Sequence, residues 1–317
     1  MTFKSWICHG LTEGPRLADN TAMSPDELKQ QIRQITVWKR GEQRAPHKPL
    51  LLLYALGRCL DHDSRMIPYA EVDRELRPLL IEFGPERKSC HTEYPFQRLE
   101  NDGIWELDNA TNLLRRASNS DVKKSELLKH NVHGGFTEEA FTLLRTHPAL
   151  VSEVALEILN QHFPQTFYAD VLDAVGLEIQ FEQTLRRRRD PAFRERVLMA
   201  YQYRCAVCGY DLRLGSTQVA LEAAHIKWHQ AGGPDLETNG LALCSMHHKL
   251  FDRGAFTISE GLQFCVSQKA NGSTGLSEWL TSFHGLPLKA PQSSDYLPLN
   301  EHLDWHRKEV FHGPGRP

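Results

Sequence analysis

Four residues constrain this chain more than any others: Cys205 and Cys208, spaced C-x2-C, and Cys244 with His247, spaced C-x2-H, on either side of a polar stretch. Three thiolates and one imidazole are the donors of a closed tetrahedral zinc site, and pairs at this spacing rarely bracket a polar loop by chance. Of the seven cysteines, three fall in this set, and Cys8, Cys59, Cys90 and Cys265 are scattered. That usage fits reduced thiols plus metal better than a disulfide framework. The start, MTFKSWICHGLTEGPR, has no apolar core after its lysine, and the run LLLLYAL is too short to cross a bilayer. The expected setting is the cytoplasm, with no membrane partner.

Inside the cysteine frame the sequence alternates between order and turn. VALEAAHI reads as a short strand ending near His225, and HQAGGPDLETNG as the loop after it, closed by Asn239. A helix is expected from Ser245 as its N-cap, which places His248 and Asp252 four apart on one face, with Asp252 able to orient the His248 ring. His247 and His248, being adjacent, point to different sides of that helix, so one serves the zinc and the other a second task. A unit this small is expected to have little core of its own, with zinc holding strand and helix together.

The segments AHI, NGLALC and HHKLFDRG resemble the HNH endonucleases of the ββα-metal fold, a likeness that spans residues 194 to 259. Carried over position by position, the resemblance implies His225 as general base, Asn239 as the residue bracing the loop and that base, and His248 as a ligand of a catalytic divalent cation, Mg2+, Mn2+ or another. The chemistry agrees. Hydrolysis of a phosphodiester needs a group that deprotonates water near neutral pH, the range of imidazole, and a cation against the scissile phosphate. The sequence departs from the family at Ala224, where many members carry a further metal ligand. Glu222, two residues earlier on the same strand face, is the substitute, with Asp252 behind it.

With 317 residues the chain is long enough for two domains. A formal net charge of -3 argues against a uniformly basic DNA-coating protein, so nucleic-acid contacts must come from local patches such as KRGEQRAPHK (Lys39 to Lys48) and the run Arg186 to Arg189. Ser24-Pro25 reads as the start of a helix with Leu28, Ile32, Ile35 and Trp38 on one side, 49 to 60 as a nearly all-apolar buried helix, 66 to 83 as another helix, and IWEL (104 to 107) as a strand after an Asn-Asp-Gly turn. HKPLLLLYAL, EYPFQRLENDGIWEL and HGGF resemble the sulfur-binding domain of phosphorothioation-dependent restriction endonucleases, in which that domain precedes an HNH unit as it does here.

The expected organisation is α+β: an extension over 1 to 22, a mainly helical sulfur-binding domain over 23 to 180, a basic linker over 181 to 190, and a ββα-metal nuclease with a structural zinc over 191 to 317. The resemblance implies a double-stranded DNA partner carrying phosphorothioate, with Tyr94, Pro95 and Arg98 nearest the sulfur. Sulfur is larger and more weakly hydrated than oxygen, so an apolar dent formed by Tyr94, Pro95 and Phe96 accepts it at little cost. Arg98, Arg44, His47 and Lys48 supply charge for neighbouring phosphates. Cutting two antiparallel strands makes a homodimer plausible. A nuclease directed at a methylated base and a non-cleaving zinc-stabilised sensor are the competing readings.

Overall fold

Ser24 caps the first helix in the way its sequence suggests. Its Oγ accepts from the Glu27 amide at 3.2 Å, and the Glu27 carboxylate accepts from the Ser24 amide at 2.7 Å, so two otherwise orphaned donors are satisfied reciprocally. The structure, a computed structural model, describes residues 23–37, 41–61, 64–111, 113–116, 121–179 and 191–317. The expected extension over 1 to 22, the basic linker with Arg186 to Arg189, Trp38 and Lys39 lie outside the described residues.

The N-terminal half is built on α1 (Pro25–Arg33), α2 (His47–Asp61), α3 (Tyr69–Phe83), α4 (Glu93–Arg98), α5 (Lys124–Lys129), α6 (Glu138–Thr146), α7 (Pro148–His162) and α8 (Tyr168–Ala174). Helix α2 runs through the middle, with Leu50 to Leu53 and Leu56 fully buried, and touches α3, α4, α6 and α7. An apolar run of this kind has no solvent-facing stripe, so burial on all sides is its stable outcome. Three antiparallel strands in the order β1–β3–β2 flank the helices: β1 (Ile67–Pro68), β2 (Trp105–Asp108) and β3 (His133–Phe136). The paired glycines of β3 have a steric reason. A Cβ on Gly134 would lie 2.7 Å from Trp105 Nε1 and 2.8 Å from the Phe96 ring, and one on Gly135 only 2.1 Å from the Arg65 carbonyl oxygen.

The C-terminal half begins with α9 (Pro191–Ala200), which packs on the antiparallel pair β6 (Leu221–His225) and β7 (Gly240–Cys244). A small hairpin, β4 (Arg213–Leu214) and β5 (Thr217–Gln218), precedes that pair. Helix α10 (Ser245–Asp252) follows β7 directly and completes the ββα unit. Beyond it come β8 (Phe256–Ile258), β9 (Phe264–Val266), α11 (Thr274–Trp279) and α12 (Asn300–Glu309). These later elements correct the expectation of a core-poor unit. Phe193, Val197, Phe251, Phe256, Phe264 and Leu303 form a second hydrophobic cluster, so the zinc frame does not stand in for a core. Ser245 also differs from expectation: it is the first helical residue rather than the cap, and its hydroxyl donates to Glu222 Oε1 at 2.6 Å.

The two halves share apolar surface. Trp228, Trp305 and Val310 are buried in the N-terminal cluster, with Trp228 edge-on to Phe167 at 5.5 Å and to Trp305 at 5.8 Å. Among the described residues no helix is long and apolar enough to cross a membrane.

His306 on α12 lies flat on Phe251 at 3.7 Å, bonded to Thr257 Oγ1 and the Phe251 carbonyl, and burial pulls its pKa down to about 3. Below the ordinary imidazole range the unfolded chain takes up a proton that the folded chain refuses. Stability therefore falls as pH drops from about 6.5 toward 3, by up to ~1.4 kcal/mol per pH unit from this residue. Urea unfolding at pH 7, 6 and 5 should show His306→Gln less stable at pH 7 and with a shallower loss on acidification. An unchanged slope would contradict the assignment.

Candidate active site and nucleic-acid face

Cys205, Cys208, Cys244 and His247 converge with all four donor atoms within 4.8 Å of one another. The Cys208 and Cys244 sulfurs are 4.0 Å apart, and His247 Nδ1 lies 3.7 Å from Cys205 Sγ and 3.2 Å from Cys244 Sγ. Those are the edges of a tetrahedron around an ion with zinc–sulfur bonds of about 2.3 Å. The local chain makes the frame. Gly209, at φ +80°, turns the Cys205–Cys208 knuckle back so that its amide donates to the Cys205 carbonyl, and Cys244 ends β7 just where α10 presents His247 one turn on. His247 Nε2 donates to the Trp279 carbonyl at 2.9 Å, which leaves the Nδ1 lone pair directed at the thiols. The donor set and this tautomer both fit zinc.

On the other side of α10, His248 is 4 % exposed and held between two carboxylates. Its Nδ1 lies 2.6 Å from Glu222 Oε2, and its Nε2 3.3 Å from Asp252 Oδ2. Burial alone would lower the His248 pKa; the adjoining Asp252 and Glu222 charges outweigh it and raise it to about 9. An imidazole nitrogen and a carboxylate oxygen 2.6 Å apart suit a small divalent cation, whose arrival would displace the shared proton. Asp252 is engaged elsewhere, accepting from Trp228 Nε1 at 3.1 Å and from Thr166 Oγ1 at 2.5 Å, so it braces the ring rather than facing solvent.

His225 ends β6 with its ring stacked on Phe193 at 4.1 Å and its Nε2 2.7 Å from Asp235 Oδ1. With the proton on Nε2, the basic lone pair sits on Nδ1. Asp235 was not singled out by the sequence: it lies ten residues on, in a loop whose path is set by long-range bonds. Asn239 sets that path. Fully buried, it accepts from the Lys227 amide at 2.8 Å and donates to the Lys227 and Pro234 carbonyls at 3.0 Å, stapling both ends of the loop after His225. Gly233 is needed inside the staple, since a Cβ there would lie 1.8 Å from the Lys227 carbonyl oxygen. His229 lies 6.1 Å from His225, ring edge to face.

The nucleic-acid candidates divide. Tyr94 is half-buried, with His91 stacked on it at 4.9 Å, the Arg98 guanidinium 4.7 Å and the Arg116 guanidinium 5.3 Å from its ring, and its hydroxyl bonded to Arg116. Arg98 is anchored by Asp121 at 2.5 Å. Pro95 is buried, so it departs from the expected surface dent. Phe96 is a correction: it is fully buried against Tyr69 and Trp105, and packs the core instead of lining a surface. Arg44 is another. Its guanidinium lies 3.9 Å over Trp228 and donates to the Phe83 and Glu309 carbonyls, so it is engaged in joining the halves. Lys48 is paired with Asp102 at 2.5 Å and only 11 % exposed. Burial pushes the His47 pKa down to about 4, so its ring is neutral near pH 7 in the DNA-free chain. Arg116 was not singled out by the sequence, and the second of two adjacent arginines carries no local signal of which one reaches Tyr94.

A cysteine and histidine frame suited to a metal ion stands beside a ββα unit, and a helical half with Tyr94, Arg98 and Arg116 grouped together precedes it. Residues 25–180 match the family model of the ScoMcrA-like DNA sulfur-binding domain, and residues 205–259 that of the HNH endonuclease. The chain thus carries a ScoMcrA-like DNA sulfur-binding domain followed by an HNH endonuclease domain. Among solved structures it is similar to the sulfur-binding domain of ScoMcrA complexed with phosphorothioated DNA, at 23 % identity over 47 % of this chain and 94 % of that one, TM-score 0.43. The sulfur-binding domain of SprMcrA complexed with phosphorothioated DNA gives 21 % identity over 51 % and 98 %, TM-score 0.42. The type IV phosphorothioation-dependent restriction endonuclease ScoMcrA gives 22 % identity over 47 % of this chain, TM-score 0.42, and the match spans 32 % of that longer chain. No curated protein gives a significant match.

Cys205→Ser and Cys244→Ser should each release one zinc per chain and lower the melting temperature, while the aromatic cluster of Phe251, Phe256 and Phe264 keeps part of the C-terminal half folded. Elemental analysis with thermal melts checks this. Well-folded wild-type protein without zinc would contradict it.

Proposed function

We propose that this chain is a modification-dependent restriction endonuclease that binds phosphorothioated DNA through residues 23 to 180 and hydrolyses phosphodiester bonds near the modification through residues 191 to 317. The observation that carries the reading is the pairing, on one chain, of a DNA sulfur-binding domain with an HNH unit in which Glu222 meets one nitrogen of the His248 ring and Asp252 braces the other. A zinc fold alone has no need of that second imidazole, which argues against a non-cleaving sensor.

His225 is the general base in this mechanism. Asp235 holds its ring so that Nδ1 takes a proton from water, the water oxygen forms a bond to phosphorus, and the bond to the leaving oxygen breaks. Asn239 keeps the loop, and hence the ring, in place. Glu222 and His248 hold a divalent cation, which when bound stabilises charge on the phosphate and the leaving oxygen. The zinc held by Cys205, Cys208, Cys244 and His247 is structural.

On the recognition face, Tyr94 offers the ring surface for sulfur. Arg98 and Arg116, both steadied by that ring and by Asp121 and Glu93, supply the charge for adjoining phosphates.

The test uses full-length protein and matched duplexes with and without one phosphorothioate of defined stereochemistry. Wild type should bind the modified duplex about tenfold to a hundredfold more tightly, the 1 to 3 kcal/mol of one good specific contact, and cut it preferentially with Mg2+ or Mn2+. Tyr94→Ala should erase the difference. Arg98→Ala should weaken both complexes and flatten their salt dependence. Equal binding of both duplexes at several salt concentrations would remove sulfur recognition and leave the nuclease. His225→Ala should abolish cutting while the protein stays folded and binds both duplexes as wild type does, and His225→Gln, which keeps more of the packing on Phe193, should be equally inactive. Undiminished cutting by either variant at saturating cation would remove the base from His225.

A further inference from the structure

The carboxylate behind His248 is completed by the other half of the chain. Asp252 is 2 % exposed and carries three contacts. Two come from its own half, the Trp228 indole at 3.1 Å and His248 itself at 3.3 Å. The third is the hydroxyl of Thr166, at 2.5 Å, from a single helical turn (Gln165–Phe167) of the N-terminal domain. That turn is firmly seated: Phe167 is 2 % exposed, edge-on to Trp228 at 5.5 Å and to Phe83 at 5.8 Å. The residue after Asp252 repeats the arrangement. The Arg253 guanidinium lies 4.7 Å over Phe83 and 4.6 Å over Phe167, and is paired with Asp170.

A buried carboxylate with four lone-pair directions keeps one orientation only while its partners are in place. Without the Thr166 hydroxyl, Oδ2 has His248 alone and is free to swing about the Trp228 bond, carrying the imidazole with it. Groups that orient a ligand from behind typically alter metal affinity or activity tenfold to a hundredfold when removed.

We propose that Thr166 is a positioning residue of the nuclease: through Asp252 it fixes the ring of His248, so that the cation site is complete only while the sulfur-binding domain is docked. This rests on the functional reading above, in which Glu222 and His248 hold the cation. The geometry gives the chain a route by which a shift of the Gln165–Phe167 turn reaches the cutting site without touching DNA.

Thr166→Val removes the hydroxyl and keeps the volume, and Thr166→Ser restores it. In the full-length zinc-loaded protein without DNA, Mn2+ binding followed by the paramagnetic resonance of the free ion should weaken tenfold to a hundredfold in the Val variant and return toward wild type in the Ser variant. Single-turnover cutting at subsaturating Mn2+ should fall and recover in parallel, with DNA affinity, zinc content and melting temperature unchanged. If the Val variant fails the last two controls, Thr166→Ala carries the same comparison against Ser. A Val or Ala variant that binds Mn2+ and cuts like wild type overturns the inference, as does a loss that Ser does not restore. Wild-type protein that does not cut at all overturns the functional reading instead.

Discussion

Much of this structure depends on one half-buried contact, the stacking of the Arg44 guanidinium on the Trp228 indole at 3.9 Å between the two halves. Two carbonyl oxygens, of Glu309 and Phe83, accept from the guanidinium directly, which offsets part of the cost of drawing the charge out of water. The Glu309 carboxylate accepts from the Arg44 amide and from Arg87. Around that contact the seam is aromatic, with Trp305, Phe167 and Phe83 closing over it, and Trp305 Nε1 donating to the Glu42 carbonyl. Interfaces this apolar and this well bonded oppose independent movement of the two halves.

The seam also explains why the candidate active site is ordered at both ends. Helix α10 is only eight residues long and would be marginal in isolation. Its first turn is fixed by the cysteine and histidine frame and by Ser245 gripping Glu222, and its last turn by Asp252 and Arg253 pressed against the N-terminal domain. His248 lies between these two anchors. The loop after His225 is treated likewise: Asn239 staples it from inside, while Trp228 and Gln230, the latter donating to the Phe163 carbonyl at 2.9 Å, tie it to the other half.

What the sequence made legible was local. The donor frame could be read because zinc imposes short, regular spacings, and the Ser24 cap because its two bonds close within three residues. Glu222 could be placed near His248 because strand alternation turns it toward α10. The features that were missed depend on distance along the chain. Asp235 beside His225, Thr166 behind Asp252 and Arg116 on Tyr94 are brought into place by tertiary packing, which leaves no periodic trace. The surroundings of Arg44, Lys48 and Phe96 were not legible for a related reason: a basic or aromatic residue in a motif carries no mark of whether it faces solvent, a salt bridge or the core. The supposed poverty of the C-terminal core failed because β8, β9 and α12 contribute apolar surface from outside the motif.

If a docked pair of domains reads the sulfur with one half and cuts with the other, the distance between modification and cut is set by the protein. Mapping the cut sites of the wild-type chain on a long duplex bearing a single phosphorothioate, under single-turnover conditions, measures this directly. The account predicts cuts confined to a narrow window at a constant offset from the modified link. Cuts scattered along the duplex without reference to it would contradict the account.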